Sequence, residues 1–150
     1  MEFITAYEKF YKELGESKKM VLSTSLNDEV TSRMMSIVVL NKQIYFQTDR
    51  TFRKYNQIKA NPKVSLCMDN IQIEGYCEQV GVPSDNIEFI NAYKKHFLNS
   101  YTRYSYLKNE CLFAVTPTLV EKWLYIDGIP YIEILDIAHR QYELKQYVGV

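Results

Sequence analysis

Apolar positions repeat with two different periods along the chain. Over residues 3–14 and about 85–99 they recur every three or four positions, which predicts two amphipathic helices, and residues 51–60 and 101–107 predict shorter ones. Elsewhere apolar and polar residues alternate with a period of two and include many β-branched and aromatic side chains, which predicts strands. The predicted strands are 20–26, 30–40, 43–48, 63–68, 71–82, 111–126 with an interruption at Pro117, 131–137 and, in the tail, 140–147.

Short polar turns separate many of these strands. Asn27-Asp28, Asn41-Lys42, Asp69-Asn70 and Asp127-Gly128 are typical of tight connections, so the strands that they join should run antiparallel. About seven antiparallel strands with helices between them fit a mainly β (α+β) fold, a closed or nearly closed barrel with peripheral helices. Since no repeat, linker or low-complexity segment divides the sequence, we expect residues 1–150 to form one domain.

The overall charge excludes some partners. The chain carries 18 basic and 18 acidic side chains, so its formal net charge is zero and it lacks the field that recruits nucleic acid or anionic lipid. We expect neither a nucleic-acid nor a membrane partner, and any site for an anion must be local.

The first residues lack the pattern of a secretory signal, and no apolar run approaches the ~20 residues that span a bilayer. We therefore expect a cytoplasmic protein.

Cysteine and histidine give no sign of a metal site. Cys67, Cys77 and Cys111 are odd in number and widely spaced, which argues against disulfides or zinc and favours buried free thiols. His96 and His139 have no carboxylate or cysteine at ligand spacing. With five glycines in the chain, neither a Gly-x-Gly-x-x-Gly motif nor a phosphate-binding Gly-x-x-x-x-Gly-Lys loop is present, which excludes nucleotide binding by those routes.

The predicted helix over residues 51–60 begins among positive charges. Arg50, Arg53 and Lys54 surround its start, although the helix dipole disfavours cations there by about 0.3 to 1 kcal/mol each. The same turn offers free backbone N–H groups and the hydroxyls of Thr48 and Thr51. This concentration of donors suits a phosphate monoester. The alternative is a solvated helix face with no ligand.

A fourth cation precedes this turn in the sequence. Strand alternation places Arg33 on the same face as Met35 and Ile37, which is an apolar setting for a charge. Arg33 either adds to the anion site or pairs with Asp28 or Glu29 at the start of its strand.

These residues, taken together, resemble a known family. The runs Arg33-Met-Met-Ser-Ile-Val-Val39, Ile44-Tyr-Phe-Gln-Thr-Asp49, Arg53-Lys54 and Asn61-Pro-Lys-Val-Ser-Leu66 are similar to the FMN-binding split barrel of the pyridoxamine 5'-phosphate oxidase-like flavoproteins. The resemblance covers about residues 18–137 in element order, and it implies an antiparallel split β-barrel of six to seven strands with peripheral helices. Within that group, the short chain and the segment over 117–128 most resemble the nitroimidazole-resistance-type proteins.

The resemblance also implies how the cofactor, flavin mononucleotide (FMN), is bound. The phosphate would contact Arg33 and Lys54 with Arg53 beside them, and other residues would hold the ribityl chain or run along the isoalloxazine. The family's usual serine two residues before the lysine is Phe52 here, which removes one hydroxyl ligand that Thr51 could replace. The implied FMN-binding residues are Arg33, Met34, Met35, Ser36, Gln47, Thr48, Arg53, Lys54 and Trp123.

The family forms homodimers with flavin sites at the interface, so part of each site should come from the partner chain. Trp123 either packs against the flavin across that interface or is an aromatic residue of the barrel core or the dimer core. The chain lacks the Arg-Leu-x-Pro-like ending of pyridoxamine 5'-phosphate oxidase, which argues against pyridoxal phosphate synthesis.

The expected activity is an FMN-dependent oxidoreductase. It would pass electrons from NADH or NADPH to a small electron-poor substrate, as a nitroimidazole reductase does. No side chain stands out as a catalytic acid, base or nucleophile. The alternatives are a non-catalytic flavin carrier or redox sensor, a split barrel that binds haem or a deazaflavin, and an empty dimerising scaffold.

Overall fold

The structure, a computed structural model, describes residues 1–149 and confirms the predicted antiparallel barrel with peripheral helices. None of the helices in this range is long and apolar enough to cross a membrane. The helices are α1 (Phe3–Leu14), α2 (Arg53–Ala60), α3 (Ile87–His96) and α4 (Leu98–Tyr104). The strands are β1 (Ser17–Leu26), β2 (Glu29–Leu40), β3 (Gln43–Asp49), β4 (Lys63–Met68), β5 (Ile71–Gln79), β6 (Glu110–Ile126), β7 (Ile129–Asp136) and β8 (Gln141–Gln146).

Six strands close into the barrel in the order β3-β2-β1-β4-β5-β6, and β3 pairs with β6 to complete it. Strand β6 can serve three neighbours because it is 17 residues long: it pairs with β3 at its start, with β5 in its middle and with β7 at its end. Strands β7 and β8 extend the sheet beyond the barrel. The closing pair sets Thr48 opposite Cys111 and Asp49 opposite Glu110.

The predicted interruption at Pro117 is wrong, because β6 runs through this residue. The register between β5 and β6 shifts at this point: Gly75 lies opposite Pro117, whereas Glu74 lies opposite Leu119. A β-bulge of this kind tolerates a proline, which has no N–H group to donate. Gly75 permits the close approach, since a Cβ atom on it would lie 2.6 Å from the carbonyl oxygen of Thr116.

The second helical region differs from its prediction in the positions of its ends. A 3-10 turn over Pro83–Asp85 precedes α3, and the side chain of Asn86 caps the helix by accepting from the N–H of Phe89 at 2.9 Å. Phe97 then leaves helical geometry and separates α3 from α4.

The core lies in two layers on either side of the barrel wall. Alternation along β2 sends Ile37 into the barrel interior, where it is fully buried with Leu22 and Phe46. The next residue, Val38, points outward and packs under α3 with Phe89. Helices α3 and α4 therefore cover the outer face of β2 and β3, and the candidate site lies at the edge of this covered region.

Candidate functional site

A cavity of about 360 Å³ lies between β2, β3, the start of α2 and the α3–α4 segment. This volume falls in the range of small-molecule sites. Six of the nine residues proposed to bind FMN line it: Met34, Met35, Ser36, Gln47, Thr48 and Lys54. The α3–α4 segment supplies aromatic and apolar surface from Tyr93, Tyr104 and Leu107.

Thr48 presents an unused hydrogen-bonding group to this cavity. The residue is 3% exposed, and its Oγ1 is the one buried side-chain polar atom among residues 1–149 that lacks a hydrogen-bond partner. Leaving such a group unpaired costs about 1 to 3 kcal/mol. Neighbouring Gln47 is satisfied, since its side-chain oxygen accepts a hydrogen bond from Ser105 at 2.8 Å and holds the end of α4 against β3. The hydroxyl of Thr48 therefore remains available to a ligand.

The start of α2 has no capping side chain and no acidic residue in its first turn. Phe52 occupies the capping position and has no hydrogen-bonding group. The nearest carboxylate, Asp49, accepts from the backbone N–H of Thr51 at 2.8 Å and from its hydroxyl at 2.7 Å. These two bonds lower the pKa of Asp49 and keep it ionised. No side chain caps the N-terminus of α2, and the ionised Asp49 nearby offsets part of the positive end of the helix dipole.

Lys54 projects from this helix start into the cavity. Its ammonium lies 4.9 Å from the centre of the Phe52 ring, and the described chain shows no ion pair to it. Burial, followed by the positive charge of Arg33, lowers the pKa of Lys54, while Glu110 and Asp49 act in the opposite direction. Lys54 thus has two acidic neighbours and a repelling cation, but no direct partner.

Arg33 does not line the cavity, but it lies close enough to Lys54 to affect its pKa. Its guanidinium donates to the hydroxyl of Thr24 at 2.9 Å, to the hydroxyl of Thr31 and to the carbonyl oxygen of Leu22 at 3.2 Å. Pairing with Asp28 or Glu29, which was one interpretation of the sequence, does not occur. Burial, followed by the charge of Arg53, lowers the pKa of Arg33.

The other two cations of the cluster have partners outside the cavity. Arg53 forms an ion pair with Glu29 at 2.8 Å, and both side chains are largely exposed. Arg50 donates to the carbonyl oxygen of Lys108 at 3.0 Å. Of the four cations that the sequence singles out, only Lys54 therefore lines the cavity.

Trp123 lies near the far end of β6 and does not line the cavity of its own chain. It is 40% exposed and packs edge-to-face against Tyr125 and Tyr147. It is therefore a surface aromatic rather than part of the barrel core. A contact between Trp123 and a flavin would have to be made across an interface with a second chain.

Glu110 is a site residue that the sequence reasoning missed. It is the first residue of β6, is 6% exposed and lines the cavity opposite Asp49. Burial, followed by repulsion from Asp49, raises its pKa to about 7, against the opposing effect of Lys54. No local pattern marks it, because its position depends on the pairing of β3 with β6 that closes the barrel.

Among residues 1–149, neither a histidine nor a cysteine lines this cavity. His96 approaches Glu16 at 3.5 Å, and His139 approaches Asp136 at 2.9 Å. Within residues 1–149 no group of three or more histidine, cysteine or acidic side chains is placed to hold a metal ion. All three cysteines are free, but Cys67 is exposed, so the expectation of buried thiols is correct only for Cys77 and Cys111. Cys67 is exposed because it alternates with the buried Leu66 along β4.

The sequence matches the pyridoxamine 5'-phosphate oxidase family over residues 6–124, a stretch that contains the whole cavity wall. No curated protein matches the chain.

Three solved structures show the same fold. General Stress Protein 26 from Bacillus anthracis str. Sterne is 26% identical, with a TM-score of 0.61 over 85% of this chain and 96% of that one. A NimC/NimA family protein from Clostridium acetobutylicum is 15% identical, with a TM-score of 0.58 over 95% of this chain and 94% of that one. A pyridoxamine 5'-phosphate oxidase-related, FMN-binding protein from Nostoc punctiforme PCC 73102 is 12% identical, with a TM-score of 0.59 over 97% and 95%.

Proposed function

Since the chain belongs to the pyridoxamine 5'-phosphate oxidase family, we propose that it binds FMN in the cavity and acts as an oxidoreductase. Bound FMN supplies the electron transfer, and the protein binds it, orients it and excludes water. The proposed donor is NADH or NADPH, and the proposed acceptor is a small, flat, electron-poor molecule such as a nitroimidazole. The acceptor class follows from the sequence resemblance over residues 117–128, and the fold shared with the NimC/NimA family protein is compatible with it.

The proposed phosphate position is the start of α2. Lys54 faces the cavity there without a carboxylate partner, and the N-terminus of the helix has no side-chain cap. Arg33 adds positive charge near Lys54 without lining the cavity. The observation that carries the assignment is the buried Thr48 hydroxyl, which lacks a hydrogen bond and is satisfied when it donates to a phosphate or ribityl oxygen. These donors fit a phosphate monoester, which accepts several hydrogen bonds at once.

The isoalloxazine has a suitable surface along β2. Met34 is 60% exposed and offers its thioether to a flat ring, and the main chain of Met35 and Ser36 offers polar groups to the ring's edge. Tyr104 and Leu107 contribute further apolar surface. Polarizable methionine sulfur packs well against aromatic systems. These contacts would hold the flavin plane while leaving part of it open to a substrate.

A second copy of the chain would complete the site. In this proposal the protein is a homodimer with its flavins at the interface, and Trp123 contacts the flavin of the partner chain. The exposed position of Trp123 is compatible with this role.

The first test is whether the purified protein retains a flavin. We expect a yellow protein whose chromophore, released by heat, has the mass of FMN. Replacing Lys54 with glutamate should abolish retention, because the change reverses the charge beside the proposed phosphate. Lys59→Glu is the matched control, since it makes the same charge change on an exposed residue of the same helix and should leave retention unchanged. Equal flavin content in both variants would contradict the phosphate assignment.

The second test concerns catalysis. Anaerobic addition of NADH or NADPH should bleach the flavin absorbance, and the reduced protein should be reoxidised by nitroimidazoles or quinones. Retained flavin with no turnover over this panel would instead indicate the carrier or sensor function. A haem with a histidine ligand is a poor fit, because neither His96 nor His139 lines the cavity. The mass of the released molecule separates FMN from a deazaflavin.

A further inference from the structure

Glu110 is a charged group of the cavity whose side chain, like that of Lys54, has no direct partner in the described residues. Its backbone N–H donates to the carbonyl oxygen of Leu107 at 3.1 Å, which fixes the start of β6, and its side chain faces the cavity at 6% exposure. Within the part of the chain that the structure describes, its carboxyl group forms neither an ion pair nor a side-chain hydrogen bond. An ionised carboxylate without a partner is more costly in this position than a neutral carboxylic acid.

The charged and titratable groups around Glu110 come from every element that surrounds the cavity. Asp49 lies directly opposite on β3, and its bonds to Thr51 keep it ionised. Lys54 on α2 is the only cation in the wall, so the two carboxyl groups compete for it. The remaining groups are more distant or ordinarily neutral: Arg33 on β2, Arg50 in the β3–α2 turn, Tyr93 on α3, Tyr104 on α4 and Cys111 beside Glu110.

A phosphate dianion bound at Lys54 would change this balance. It would take up the single cation of the wall and add two negative charges close to Glu110, and both effects disfavour an ionised carboxylate. Asp49 accepts a proton less readily than Glu110, because its two hydrogen bonds from Thr51 stabilise the ionised form and lower its pKa. Glu110 is consequently the group that should become protonated.

We propose that FMN binding is coupled to the uptake of one proton from solvent by Glu110, so that this residue sets the pH range over which the protein retains its flavin. The coupling rests on the proposed function, specifically on a phosphate at Lys54. No bond other than the O–H bond of the carboxyl group is formed, and no electron is transferred in this step. Flavin should bind tightly at mildly acidic and neutral pH and be released more readily as the solution becomes alkaline.

The size of the effect follows from linkage. The free protein has a Glu110 pKa of about 7, so if only the protonated form binds FMN, raising the pH from 6 to 8 weakens binding about tenfold. At pH 8 each bound flavin should take up about 0.9 proton. The FMN phosphate contributes little there, because its second pKa is about 6 and it is already a dianion.

Calorimetric titration of the flavin-free protein with FMN tests the coupling. At pH 8, the difference in measured heat between two buffers of different ionisation enthalpy gives the number of protons that the wild-type protein takes up. This measurement needs no variant. In Glu110→Gln the uptake should vanish, and the ratio of affinities at pH 6 and pH 8 should differ from the wild-type ratio by about tenfold. Titration of the FMN phosphate affects both proteins equally and cancels in this comparison. Glu143→Gln on the exposed strand β8 should behave as wild type.

Riboflavin, which lacks the phosphate, identifies the part of the ligand that Glu110 senses. It should bind without proton uptake or not bind at all. Proton uptake with riboflavin equal to that with FMN would overturn the proposal, because Glu110 would then face the ring. Tight FMN binding with no proton uptake would also overturn it while leaving the proposed function intact. An absence of FMN binding at both pH values, in wild type and variants alike, would instead refute the proposed function, and the coupling with it.

Discussion

Replacing Glu110 with glutamine is expected to stabilise the flavin-free protein at pH 8. Folding raises the pKa of Glu110 from 4.5 to about 7, so the folded state favours the protonated carboxyl group. The stability associated with that proton is fully present below pH 4.5 and is lost as the pH rises through 7. Glutamine stays neutral throughout, so the variant should become more stable than wild type as the pH increases.

The magnitude follows from the size of the shift. One pKa unit corresponds to about 1.4 kcal/mol, so a change from 4.5 to about 7 gives an upper limit of about 3 kcal/mol at pH 8. At pH 5 the expected difference is about 1 kcal/mol or less. The Glu110 carboxyl group borders an open cavity, so solvent screening lowers these figures and they are upper limits. Asp49 and the other carboxylates titrate in both proteins and largely cancel in the difference.

Urea denaturation at pH 5, 6, 7 and 8 measures this difference. The free energy of unfolding of Glu110→Gln minus that of wild type should increase steadily over this range. Protein concentration must be held constant, because the apparent stability of the proposed dimer would depend on it. Glu143→Gln should give a flat line. A difference that does not change with pH would refute the argument, since it would mean that Glu110 is ionised at no cost in the folded state.

Two further substitutions probe the site and the barrel. Thr48→Val should leave the stability of the flavin-free protein unchanged or slightly raised, because it removes a buried hydroxyl without a partner, yet it should weaken FMN binding by about tenfold or more. Denaturation and quenching of flavin fluorescence measure the two effects, Thr48→Ser is the control, and a destabilised variant with unchanged affinity would contradict the assignment. Gly75→Ala should lower the free energy of unfolding by about 1 to 3 kcal/mol, because its Cβ would meet the carbonyl oxygen of Thr116 at 2.6 Å. The exposed neighbour substitution Glu74→Ala is the control in the same denaturation assay, and equal stability of both variants would mean that the bulge shifts to accommodate a methyl group.

The parts of the fold that depend on neighbouring residues could be predicted from the sequence. Asn27 and Asp28 both have positive φ angles, as do Asn41 and Lys42, which is the geometry of the tight hairpin turns that these residues favour. The family resemblance, rather than local pattern, identified six residues that line the cavity, and they lie on two consecutive strands and the helix that follows. Their relative positions are fixed over short stretches of chain.

Features that depend on distant parts of the chain could not be predicted in this way. Glu110 meets Asp49 only because β6 closes the barrel against β3. Pro117 indicated a break in the strand, but the bulge opposite Gly75 absorbs it, and that pairing also joins separate segments. For Trp123, a single chain shows an exposed aromatic, and its proposed role requires a second copy.

A ligand in the cavity meets less positive charge than the number of cations at the start of α2 suggests. Arg53 forms an ion pair with Glu29, and Arg50 donates to a backbone carbonyl oxygen. Lys54 is therefore the one member of the cluster that lines the cavity. Lys54 and ionised Asp49 cancel in formal charge, so the wall is neutral when Glu110 is protonated and carries one negative charge when it is not. A dianion attracted by the helix dipole and by Arg33 would enter the neutral cavity far more readily than the negative one. The protonation of Glu110, more than the number of nearby arginines, should therefore decide whether this site holds a phosphate.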